Sequence, residues 1–224
     1  MDEKLFFAKP EEISTYIRQI NAWKEGKLKR NDIIIIGKAG IVLKALNVSD
    51  FDIVILQKTI TKATSPETVL LNGNKGHDLT LGIIKTIPEY LNDPLMVFKS
   101  RTQKNSFVIL TNAFDRTKRP VIIALHLDKS KGRLLINEIA SIYGRNNAND
   151  FIESNIKTGN LMYIDKKRSL KWGTKRGLQL SPMVHPSSGY INNVLCKEDI
   201  VNGKKLQADS AVKKKVLPFE MQSY

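Results

Sequence analysis

Between His77 and Arg145 the apolar residues gather into four short runs, 95–100, 106–114, 120–128 and 133–144. Each is rich in Val, Ile, Leu or Phe and is bounded by turn-forming residues, which predicts a meander of antiparallel strands. The third run, Val121–Leu127, is apolar on both faces except at His126 and is expected to be central, with His126 hydrogen-bonded and facing away from any site. In the fourth run, simple alternation puts Asn137, Ile139, Ser141 and Tyr143 on one face, a polar stripe where the functional site is placed. By the same rule Ser100 and Thr111 are expected beside Ser141, and Glu138 is expected to point away from it.

The flanking segments change period. Lys9-Pro10-Glu11-Glu12 reads as a helix start, and Ile13, Tyr16, Ile17, Ile20 and Trp23 follow at helical spacing, as a stripe docked on a core. Short strands are expected at 32–36 and 51–56. Between them, Gly37-Lys38 lacks the rest of a phosphate-binding loop, so no nucleotide triphosphate site is read there. A polar helix or turn carries Lys58, Thr61 and Lys62, and a loop spans 63–76. One helix is expected over 79–91, with Asp78 as its N-cap. Beyond Arg145 come a short helix at 151–157, a strand at 161–165 and a basic run around Trp172. The reading is an α+β fold in which N-terminal helices pack on a four- to five-stranded antiparallel meander sheet. It divides into a helical extension (1–30), the α+β domain (31–178) and a basic, irregular or partly disordered tail (179–224) that includes His185 and Lys213–Lys215.

Charge sharpens the picture. Lys and Arg number 36 against 22 Asp and Glu, a formal net charge of +14. A surplus of that size suits a polyanion, with nucleic acid favoured over an anionic membrane surface. One cysteine rules out an internal disulfide framework, and three histidines without metal-ligand spacing argue against a bound transition metal. No cofactor is expected. No signal peptide is read at the N-terminus, and no apolar run approaches the roughly 20 residues of a membrane span. A cytoplasmic protein is therefore expected, with delivery into another cell by a dedicated route left open.

Two stretches carry candidate chemistry. A His just before a helix lies near the positive end of the helix dipole, so His77 is expected to be neutral and able to accept a proton. Lys166, Lys167, Arg168, Lys171, Lys175 and Arg176 surround Trp172, a mixture suited to phosphate contact and base stacking.

A series of short blocks then acquires meaning in order: Leu43-Lys44-Ala45-Leu46, Ile53-Val54-Ile55-Leu56, His77-Asp78-Leu79-Thr80, Ile87-Pro88-Glu89-Tyr90-Leu91, Val97-Phe98-Lys99-Ser100, Val108-Ile109-Leu110-Thr111 and Ile139-Ala140-Ser141-Ile142-Tyr143-Gly144-Arg145. Over about residues 32–168 the chain resembles the phage-associated branch of the barnase–EndoU–colicin–RelE ribonuclease superfamily. That branch is similar to the C-terminal toxin-like domain of MuF-type phage head proteins and of polyvalent proteins. The resemblance implies a small helix-plus-antiparallel-sheet fold and RNA cleavage, with His77, Ser100, Thr111, Ser141, Tyr143 and Arg145 as site candidates.

The expected activity is therefore a metal-independent endoribonuclease, a toxin or effector cutting tRNA, rRNA or mRNA by 2′-hydroxyl transesterification. His77 would be general base or acid, and Lys62 and Arg145 would stabilise charge. Tyr143 would stack on a base or donate to phosphate, with Ser141 and Thr111 positioning the phosphate. Lys99, Ser100, Lys166, Lys167, Arg168 and Trp172 would bind the strand. An acidic antitoxin or immunity partner is expected by charge complementarity. The rival readings are a non-catalytic nucleic-acid- or ribosome-binding module and an NAD-dependent ADP-ribosyltransferase, for which Glu138 is a poor catalytic residue.

Overall fold

The structure, a computed structural model, describes residues 8–71, 73–178, 180–183 and 194–203. Helix α1 (Pro10–Lys24) starts as its Pro and paired acids require and packs on strand β1 (Ile33–Gly37). Tyr16 and Ile20 are fully buried, and the Tyr16 hydroxyl donates to Ile84 O at 2.8 Å. The Gln19 amide also accepts from Ile35 N and donates to Ile35 O. It thereby satisfies an edge strand that would otherwise invite another chain. Then come α2 (Ile41–Ala45), β2 (Ile53–Leu56), α3 (Gln57–Thr64), and the small hairpin β3 (Leu70–Leu71) and β4 (Asn74–Lys75). The helix expected over 79–91 is two: α4 (Leu81–Lys85) and α5 (Ile87–Asn92), with Pro88 in the first turn of the second. The N-cap of α4 is Thr80, whose hydroxyl accepts from Ile83 N; Asp78 instead sits at φ +48°.

The meander is present as β5 (Met96–Lys99), β6 (Ser106–Phe114), β7 (Pro120–Lys131) and β8 (Leu134–Gly144). It is followed by α6 (Ala148–Lys157), β9 (Leu161–Ile164), α7 (Lys166–Thr174), α8 (Leu180–Met183), β10 (Leu195–Cys196) and α9 (Lys197–Val201). These strands overturn the expected four- to five-stranded antiparallel sheet. The main sheet has eight strands in the order β1-β2-β8-β7-β6-β5-β9-β10, and it is mixed. β2 runs parallel to β8 (Ile53 beside Asn137) and β10 runs parallel to β9. The reason is that a four-strand meander leaves two unpaired edges, and the short apolar strands outside it pair with them. β7 is interior, as its two-faced apolar pattern suggests. Of the segment 179–224, residues 180–183 and 194–203 form α8, β10 and α9; His185 and Lys213–Lys215 lie outside the described residues.

The sheet carries a core on each face. Tyr16, Leu43, Ile109, Ile123, Ile139 and Ile142 belong to the core formed with the N-terminal helices. Phe98, Leu110, Ile122, Ile152, Ile156 and Trp172 form the other, with α6 and α7. Among the described residues no helix is long and apolar enough to cross a membrane.

One irregularity rearranges the stripe read from the fourth run. Ala124 pairs with Ser141 and Leu125 with Ile139, which leaves Ala140 as the extra residue of a β-bulge. Ile139 and Ile142 therefore both enter the first core, while Ser141 and Tyr143 turn to the opposite face. Asn137 stays with the Ile139 side and is fully buried, its amide donating to Ser49 O and Phe51 O and accepting from Asp128 N. Glu138 and its cross-strand partner His126 face the side of Ser141, against the expectation that both turn away.

Candidate functional site

The site begins where β2 ends. Leu56 closes the strand and Gln57 opens α3 with no loop between them, so the helix packs directly against β8. Ile60 and Ala63 bury themselves in the first core, which leaves Lys58 and Lys62 on the outer side of α3. The chain after β4 is then stitched to the end of that helix. His77 N donates to Lys62 O at 3.0 Å, Asp78 N to Ser65 O and Leu79 N to Ala63 O, both at 2.8 Å. Gly76 permits this approach, because a Cβ there would lie 2.2 Å from Ser65 O.

The result is a cavity of about 390 Å³ lined by Lys58, Lys62, Asn74, His77 and Ser141. The ring of Tyr143 stands 5.4 Å from that of His77, centroid to centroid, at 37°. His77 is half-buried, and its Nε2 is buried with no hydrogen-bond partner among the described residues. Its pKa lies below the ordinary histidine value. Burial is the main cause, the positive charges of Lys62 and Arg119 add to it, and Glu67 opposes them. The neutral state expected from a helix dipole thus has another origin, since α4 begins four residues beyond His77.

Arg119 belongs to a buried-edge cluster that local sequence patterns do not reveal. It pairs with Glu67 and with Asp115, the latter at 2.5 Å. Burial would raise the Asp115 pKa, but bonds from the Arg119 backbone and side chain and from Thr117 hold it below the usual carboxylate value. This carboxylate occupies the space a side chain at position 144 would need: a Cβ on Gly144 would fall 1.9 Å from Asp115 Oδ2.

Tyr143 itself lines a second cavity of about 610 Å³, with Lys99, Ser100, Arg145, Asp150 and Phe151. The Arg145 guanidinium lies 4.8 Å above the Phe151 ring, and its Nε is buried without a partner among the described residues. Ser100 Oγ accepts from Gln103 N at 3.2 Å.

Of the residues singled out from sequence, the structure thus brings His77, Lys62, Ser141 and Tyr143 together, with Arg145, Lys99 and Ser100 in the adjoining cavity. Thr111 is elsewhere. It is 1% exposed, and its hydroxyl donates to Val121 O and accepts from Ala113 N. Lys166 and Lys167 open α7; Arg168 in the same turn is engaged by Asp93 and by Asp165 at 3.5 Å. Trp172 is 7% exposed within the second core. Lys58, Asn74, Glu67, Arg119 and Phe151 were not anticipated. The glycines at 76 and 144, each forced by a close approach, were the available hint. Among the described residues no cluster of three or more His, Cys, Asp or Glu is arranged to hold a metal ion.

Residues 68–171 match the family model of the phage MuF-C-terminal domain. The match spans His77, Lys99, Ser100, Ser141, Tyr143 and Arg145, and leaves Lys62 and Trp172 outside. Over that stretch the chain is similar to a phage-associated family, as the ordered blocks suggest. No curated protein and no solved structure matches the chain.

Proposed function

We propose that the chain is an endoribonuclease of the toxin or effector kind, cutting RNA by transesterification without a metal. The observation that carries the reading is His77: half-buried, held in its neutral form, sharing an open cavity of a basic protein with Lys62 and Ser141, and with the Tyr143 ring against its own. Neutral imidazole takes the proton of a ribose 2′-hydroxyl. The freed oxygen attacks the adjacent phosphorus, the bond to the 5′-oxygen breaks, and a 2′,3′-cyclic phosphate remains. Lys62 and Arg145 face the charge that accumulates on the phosphoryl oxygens, and Ser141 and the Tyr143 hydroxyl supply neutral donors. The leaving 5′-oxygen takes up a proton from solvent water as it departs, and the imidazolium of His77 releases its own proton to solvent. By charge complementarity, an acidic antitoxin or immunity protein would cover these cations in the producing cell.

A basic module that binds RNA or ribosomes without cutting would use the same cations. It leaves the burial of His77 beside Lys62 without a task, so cleavage is preferred. The test is a strand with 2′-O-methyl at the cut site. Under this reading it binds and stays intact, whereas its cleavage would contradict a mechanism that needs the 2′-hydroxyl.

A further inference from the structure

A third cavity, of about 530 Å³, is lined by Phe114, Lys118, Lys171, Trp172, Lys175 and Arg176. The rings of Phe114 and Trp172 are nearly parallel, 14° apart with centroids at 6.4 Å. The Arg176 guanidinium lies 5.1 Å from the Trp172 ring and 5.6 Å from that of Phe114. Phe114 is 38% exposed, unusual for a phenylalanine bordered by four cations. Those cations are also uncommitted: Lys118, Lys171, Lys175 and Arg176 make no ion pair among the described residues. Arg119 and Arg168, by contrast, are consumed by carboxylates. Among the described residues Arg176 Nε is buried without a partner, as is Arg145 Nε. Each of these two arginines is thus steadied by an aromatic ring and not by an acid.

We propose that this cavity is a second nucleotide-binding subsite, holding a flanking nucleotide of a single-stranded RNA whose scissile phosphate lies at His77. The proposal rests on the ribonuclease reading and specifies its substrate as an extended single strand. Cations beside an exposed aromatic face match the two constant parts of such a strand, phosphate and base. Continuity supplies the second argument. Lys118 and Arg176 also line a shallow cavity of about 360 Å³ that reaches Arg145. Arg145 and Tyr143 share the next cavity, and the Tyr143 ring meets His77. A path of positive charge therefore leads from Arg176 past Lys118 and Arg145 to Lys62. Asp150 is the carboxylate that lines its middle section.

The test measures binding of labelled 2′-O-methyl strands of about three and about twelve nucleotides to the full chain, so that cleavage plays no part. Arg176→Gln is the first variant and Lys171→Glu, on the exposed rim, the second. The proposal expects Kd for the longer strand to rise roughly tenfold in each variant, with a shallower salt dependence, while the shorter strand changes by less than about twofold. Equal weakening of both strands, or no weakening of either, overturns it. So does a loss confined to an acidic peptide probe, which would make the cavity a protein-docking surface. If the strands bind in this length-dependent way but natural RNA is never cut, the nuclease reading fails and the subsite stands. If RNA is cut but Arg176→Gln binds long strands normally, the reverse holds.

Discussion

The imidazole of His77 and the phenol of Tyr143 meet at 5.4 Å although His77 precedes the meander and Tyr143 stands on its last strand. Tyr143 reaches this position because the bulge at Ala140 turns it out of the first core, and it lines the second cavity. One ring thus both shields the proposed base and continues the surface along which a strand would lie. Tyr143→Phe keeps the shield and removes the hydroxyl, whereas Tyr143→Ala removes both. Cleavage should fall in both, but only Tyr143→Ala should return the His77 pKa toward 6.5, followed by NMR titration of its ring protons. An unchanged titration in Tyr143→Ala would show that the ring does not contribute to the burial.

The depressed pKa of His77 sets the pH dependence. The proposed mechanism needs the base form of His77, so kcat/KM should rise with pH through a midpoint below 6.5 and then level off. Removing a neighbouring cation relieves the imidazolium, so Lys62→Gln should move that midpoint upward even as it lowers the plateau. Removing a neighbouring anion does the reverse, so Glu67→Gln should move it downward, with Arg119 still held by Asp115. The same sign applies to stability. A group depressed on folding contributes stability that is complete above its unfolded value, 6.5, and is lost as pH falls through the folded one. A downward shift in Lys62→Gln or an upward shift in Glu67→Gln would refute the assigned neighbours.

Gly144→Ala should destabilise the protein. Its new methyl would press on the Asp115 carboxylate that anchors Arg119, at a cost of about 1–3 kcal/mol, readable as a lower urea midpoint. Unaltered unfolding would mean that the carboxylate is not held where the structure puts it.

Thr111→Val separates structural from functional polarity. The buried hydroxyl satisfies Val121 O and Ala113 N, so its loss should cost about 1–3 kcal/mol of stability. The cleavage rate of the folded variant should be essentially unchanged, because Thr111 lines neither cavity beside His77 and its hydroxyl bonds only to Val121 O and Ala113 N. A selective loss of activity would restore Thr111 to the site.

The four meander strands were legible because each is a dense apolar run bounded by turns. The strands beside them, β2 and β9, were legible too, but not that they join the same sheet, because the parallel pairing of β2 with β8 joins segments about 80 residues apart and leaves no local mark. The bulge did leave one. Ile139 and Ile142 are three apart, a spacing that strict alternation sends to opposite faces, although both are fully apolar and need the core. Reading the run as regular put Asn137 beside Tyr143 and turned Glu138 away. Within the candidate site, His77, Lys62, Ser141 and Tyr143 were accessible through residue type and family resemblance. The Glu67–Arg119–Asp115 cluster was not, since no pattern links Glu67 to a partner 52 residues away. Trp172 illustrates the converse, for its basic surroundings suggested an exposed stacking platform but its apolar ring was drawn into the second core.

The central claim is tested most directly by incubating the purified chain with total RNA in excess EDTA, beside His77→Ala. The account predicts fragments with 2′,3′-cyclic phosphate ends from the native protein, and a rate lower by roughly 10²–10⁴-fold in the variant, which should still retain RNA. Intact RNA in both samples, or equal cleavage by both, would contradict it.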